Sequence, residues 1–178
     1  MLLAVVVALG GLLLATGTGR ATVSRHGPED AAAARAVAEL TAPGRAGTRL
    51  PASFLAGAGY RPVIVDGRLL DPRGSCSSPI DLPEAFDDAC RAHDLGYDLL
   101  RHAAAEGGAL GPWARRAIDE QFARDLSAAC DVTDVTDVAP GRCRLLAGLA
   151  DVAVAVNSWR QGWSVPVVER GPFARSPA

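Results

Sequence analysis

The sequence contains no lysine, so all 18 basic side chains are arginine. Against 20 acidic residues they leave a formal charge of −2. That balance excludes the basic surplus of a nucleic-acid binder and the acidic block of a solvating tail. Together with abundant alanine, the arginine preference reads as the codon usage of a GC-rich genome, not as phosphate recognition. Aromatic residues are scarce at 5%. Phosphate-binding glycine loops, a Gly-x-Ser-x-Gly elbow and internal repeats are all missing. So are paired Cys-x-x-Cys knuckles, which makes zinc held by Cys76, Cys90, His93 and another ligand the weaker reading of the cysteines.

Long hydrophobic runs are also lacking, except at the start. Leu2 to Ala15 is almost uninterruptedly apolar but shorter than the roughly 20 residues a spanning helix needs. Small and polar residues follow through Ala21, and Ala15-Thr16-Gly17 offers a small-x-small cleavage site. Residues 1–21 are therefore expected to be an export signal, or an anchor if retained, and the protein is expected to be secreted. Four cysteines behind such a start imply two disulfides, with three pairings open. About 155 residues remain after the signal, enough for one core.

Pro28 opens and Pro43-Gly44 closes an Ala-rich helix over Glu29 to Leu40. It reads as a pro-segment or an N-terminal helix, with a Gly- and Pro-rich loop or linker from Pro43 to Gly59. Residues 22–59 thus precede a domain at 60–165, and a flexible tail follows at 166–178. Val63-Ile64-Val65 and Arg68-Leu69-Leu70, separated by Asp66-Gly67, predict a two-residue hairpin. Helices are predicted from Pro83 to Ala105, from Trp113 to Cys130 and from Arg142 to Trp159. The last is expected to complete the core with Leu145, Leu149, Val152 and Val156, beside Leu146, Ala150 and Ala153. Trp113, Trp159 and Trp163 are expected to pack in the core rather than anchor a membrane.

The densest chemistry lies between Phe86 and Tyr97. Phe86, Cys90, His93, Tyr97 and Leu100 recur at the three- and four-residue intervals of one helix face. Asp94, rotated from His93 by roughly 100°, meets a different neighbour and is free for a metal. A histidine with an ordinary pKa of about 6.5 suits general-base work if a partner orients it. On the next helix, Asp119 borders the stripe Trp113, Ala117, Phe122 and Leu126, beside Ile118. Antiparallel packing through the turn Glu106 to Gly111 brings that carboxylate within reach of the imidazole.

Cys90-x-x-His93-Asp94-x-Gly96-Tyr97, followed by Ile118-Asp119-x-x-Phe122-x-x-Asp125 and Cys130, resembles the secreted phospholipase A2 superfamily, in particular its short bacterial and fungal branch. The match covers roughly residues 70 to 150. It implies a mainly α fold: two antiparallel, disulfide-linked catalytic helices, further helices, and a short β-hairpin before a calcium loop. It also implies that His93 deprotonates the attacking water, Asp119 hydrogen-bonds the far imidazole nitrogen, Tyr97 supports Asp119, and Asp94 binds Ca2+. The implied disulfides are Cys76–Cys90 and Cys130–Cys143.

One position departs from the branch, since Gly74 stands where an aspartate ligand is expected. Gly74, Ser75 and Cys76 then become carbonyl donors and Asp71 a weaker carboxylate candidate, with millimolar-class calcium affinity. His26 and His102 lack catalytic company, Asp125 reads as structural, and the run Asp131 to Asp137 as a solvated loop. The resemblance implies a calcium-dependent phospholipase A2 acting as a monomer on phospholipid at a membrane or micelle surface. The alternative is a non-catalytic lipid-binding or toxin-like module.

Overall fold

A computed structural model describes residues 27–43, 47–131 and 138–167. Residues 1–26, which include the expected export signal and His26, residues 132–137 of the aspartate-rich run and residues 168–178 of the expected tail lie outside the described residues.

The chain is mainly helical. Asp30 opens α1 (Ala31–Thr41) by accepting hydrogen bonds from the Ala32 and Ala33 N–H groups, which satisfies two of a helix's orphan donors. Ala33, Ala36 and Val37 lie one turn apart and are fully buried. They pack with Leu95, Leu99 and Ala103 and with Ala114 and Ile118 of the two helices described below. Phe54 joins them from a short helix, α2 (Ala52–Gly57). Residues 22–59 therefore do not simply precede the domain: α1 and α2 supply part of its core, and the predicted linker contains a helix.

Strands β1 (Val63–Val65) and β2 (Arg68–Leu70) pair antiparallel, Val63 opposite Leu70 and Val65 opposite Arg68. Asp66 and Gly67 both take positive φ, 47° and 76°, as expected of a tight two-residue hairpin turn. A 3₁₀ turn at Glu84–Phe86 leads into α3 (Asp87–Ala105), and a six-residue connection at 106–111 leads into α4 (Pro112–Ala129). His93 meets Asp119 and Tyr97 meets Arg115, so the two helices run antiparallel. Gly96 permits the close approach, because a Cβ there would lie 2.9 Å from Ile118 Cγ2.

α5 (Pro140–Arg160) closes the second half of the core. Phe86, Ala89, Phe122, Leu126 and Ala147 surround both disulfides, Cys76–Cys90 and Cys130–Cys143. The first ties the loop after β2 to α3, and the second ties the end of α4 to the start of α5. With all four cysteines bonded, the zinc reading falls. Among the described residues, no helix is long and apolar enough to cross a membrane.

Two expectations about packing are overturned. Leu145, Leu149, Val152 and Val156 face outward on α5, while Cys143, Ala147 and Ser158 are its buried residues. The helix is apolar on most sides, so periodicity alone did not select the face that meets α4. The tryptophans are not core residues either. Trp159 is 72% exposed and Trp113 41% exposed, the latter donating its indole N–H to Glu29. Trp163 is half-buried beneath the Arg116 guanidinium. The tail also begins later than predicted: Pro166 is buried and its carbonyl accepts from Arg101 Nε.

Candidate functional site

The α3–α4 pairing brings His93, Tyr97 and Asp119 together. His93 Nε2 lies 2.9 Å from Asp119 Oδ1, and the Tyr97 hydroxyl donates to the same oxygen at 2.7 Å. The imidazole is packed between Tyr97 and Phe122, with ring centroids 4.1 and 4.7 Å away. Burial, and then the nearby Asp119 charge, push the Tyr97 phenol up to about 12. It therefore stays protonated and remains a donor to the carboxylate.

Asp94, one residue on, faces the loop after β2. Its Oδ2 accepts the Ser75 N–H at 3.0 Å. A Cβ at position 74 would sit 2.8 Å from that same oxygen and 3.1 Å from Arg91 Cα. Gly74 is thus the residue that lets the loop close onto α3, and an aspartate here would collide with Asp94. Cys76, disulfide-bonded to Cys90, holds the next part of the loop against the helix.

Asp71, the weaker ligand candidate, is near enough to raise the Asp94 carboxyl by its charge, and one of its oxygens is already engaged. Its Oδ1 accepts the Arg73 N–H, and its carbonyl takes hydrogen bonds from Arg91 Nε and the Gly74 N–H. The residue latches the loop to α3. The Cys76 carbonyl already accepts from the Ser78 N–H, which weakens it as a donor to a metal. Among the described residues, no group of three or more His, Cys, Asp or Glu side chains could hold a metal. Asp94 and backbone oxygens are the ligands on offer.

Burial raises the Asp94 carboxyl above its ordinary value of 3.8, opposed by the Ser75 N–H. With the folded pKa above the unfolded one, the native state retains a proton that the unfolded chain has lost. Stability without metal therefore falls as pH rises from 3.8 through the raised folded-state value. Asp94→Asn is expected to melt higher than the parent at pH 7 in chelator, with the difference shrinking on acidification. Calorimetric melting at several pH values checks this; equal midpoints throughout contradict it.

His93 and Asp94 sit in a cleft of about 1030 Å³, counted to its open mouth. Ile80 and Leu82 of the loop line one side, and Leu149, Ala153 and Val154 of α5 the other. Polar reactive groups at the base of a mainly apolar cleft suit an amphiphilic ligand.

Two residues of this constellation escaped sequence analysis. Ser158 donates to Asp119 Oδ2 at 2.6 Å, and Arg115 Nε donates to Ser158 Oγ at 2.9 Å. A serine near the end of α5 carries no local signature, and an arginine amid polar residues of α4 reads as solvated. Asp125, read as structural, is buried and accepts from Arg68 and Gln121. His102 is likewise apart from the site, bonded to Ser53.

No family model matches the chain, and searches of curated proteins and of solved structures found no match.

Proposed function

We propose that the chain is a secreted, calcium-dependent phospholipase A2-like hydrolase that cleaves the sn-2 ester of glycerophospholipids. The observation that carries this reading is the arrangement of His93 and Asp94. Neighbours in sequence, they turn to separate partners at one cleft, a buried carboxylate for the first and a glycine-permitted loop for the second. The two disulfides accord with an oxidising compartment.

In this mechanism His93 uses the ring nitrogen that faces away from Asp119 to take a proton from water attacking the ester carbonyl. Asp119 stabilises the imidazolium, which then returns the proton to the leaving alkoxide. Tyr97 holds Asp119 in place. Calcium fits the residues present: among the described residues no arginine pairs with the half-buried Asp94 carboxylate, and the loop of Gly74, Ser75 and Cys76, whose carbonyls would complete the ligand set, closes onto it. When bound there, it supplies positive charge that polarises an ester carbonyl. The apolar walls of the cleft accept an acyl chain, and the protein works as a monomer on phospholipid at a membrane or micelle surface.

The test is fatty-acid release from phospholipid vesicles with calcium or chelator, alongside calorimetric calcium titration. Release that stops on chelation is expected. Calcium binding without release assigns the chain instead to the non-catalytic lipid-binding or toxin-like class.

A further inference from the structure

Ser158 and Arg115 form a buried relay behind Asp119. Arg115 is 1% exposed and Ser158 is 0% exposed. The arginine lies one helical turn before Asp119 on α4, whereas Ser158 arrives from the far end of α5. Arg115 Nε points at both Ser158 Oγ, 2.9 Å away, and the Tyr97 hydroxyl, 3.2 Å away. Its Nη1 donates to Gln161 Oε1 and to the Ser164 carbonyl, each at 2.9 Å, while Nη2 is buried without a hydrogen-bond partner. A buried guanidinium with an idle donor is costly to keep for packing alone.

Donor chemistry sets the direction of the hydrogen bonds to Asp119. A guanidinium can only donate. The Asp119 carboxylate can only accept, so it takes the Ser158 hydrogen on Oδ2 and the Tyr97 hydrogen on Oδ1, while the two hydroxyls lie 3.2 Å from each other with either able to donate. Asp119 is then an acceptor on both oxygens. The remaining contact, 2.9 Å from Oδ1 to His93 Nε2, requires the hydrogen to be on the histidine. Nδ1, which has no hydrogen-bond partner among the described residues, is left with the free lone pair.

We propose that Ser158 and Arg115 are positioning residues that hold the Asp119 carboxylate in the orientation in which it accepts the His93 Nε2–H. The effect on turnover rests on the proposed hydrolase, but the hydrogen-bond relay does not. The device also links the site to the end of α5 and its following segment, through Gln161 and Ser164. Neither region contributes to the two linked motifs on α3 and α4.

Two measurements test it. In ¹⁵N-labelled protein, the His93 ring should show a protonated Nε2 and an unprotonated Nδ1 while the imidazole is neutral, with the Nε2 proton slow to exchange with water. Ser158→Ala removes one oxygen and introduces the best helix former. It should keep the helical circular dichroism, speed exchange of the Nε2 proton, and lower kcat on phosphatidylcholine vesicles about tenfold with KM unchanged. An Nδ1–H tautomer in the parent protein overturns the proposal without any variant. Unchanged kcat and unchanged exchange in Ser158→Ala overturn it as well. If the parent releases no fatty acid, the hydrolase reading fails on its own, and the ring signals still decide the relay.

Discussion

Replacing His93 with alanine or glutamine abolishes ester hydrolysis while the helical circular dichroism stays at the parental level. General-base assistance is worth about 10²- to 10⁴-fold, so residual release should fall to background in a vesicle assay. The fold survives for a specific reason. Asp119 keeps two of its three donors, Tyr97 and Ser158, when the imidazole is gone, so no bare charge is left buried. The glutamine variant is the sharper control. Its amide fills part of the space between Tyr97 and Phe122 and can still donate to Asp119, but it has no basic nitrogen. Turnover retained in either variant removes His93 from the proposed role.

Loss of a disulfide produces the largest expected change in stability, and the two bonds should differ in what else they disturb. Their sequence separations of 14 and 13 residues correspond to about 3 kcal/mol each from restriction of the unfolded chain. In a domain of this size that amounts to a fall in melting temperature of about 6–12 °C. Paired Cys→Ala variants separate the effects. Without Cys76–Cys90 the Gly74–Ser75 loop loses its covalent tie to α3, so calcium affinity should drop along with stability. Without Cys130–Cys143 the junction of α4 and α5 loosens, leaving the Asp94 side of the cleft as it was. Calorimetric melting with calcium titration checks both variants. Equal losses of calcium affinity would contradict the division of labour.

Much of the site was legible because its residues lie close together in sequence. On α3, the Phe86–Cys90–His93–Tyr97–Leu100 spacing identified a single face, and the short 106–111 connection limited how α4 could return. Asp119 opposite His93 follows from those two constraints. The hairpin was legible for a similar reason, since Asp66-Gly67 accepts the positive φ values the turn requires. Gly74 was legible only as a departure. The Asp94 carboxylate and the Arg91 backbone that would crowd a side chain there belong to a helix almost twenty residues away, and their closeness emerges only on folding.

α5 marks the boundary between the two kinds of information. The sequence by itself determined that residues near 142–159 are helical, that the reactive groups of α3 and α4 share a cleft-facing neighbourhood, and that the cysteines are paired. Only the tertiary structure decided that α5 turns Leu149, Val152 and Val156 outward and presents Ser158 to Asp119. It also decided that Arg115 is buried behind that contact and that Asp71 latches a loop through its Oδ1 and its carbonyl. Helical periodicity states which side chains travel together around an axis. Where apolar groups occupy most of the circumference, the side that goes inward is set by the neighbouring helices, here by α4 and the Cys130–Cys143 bond.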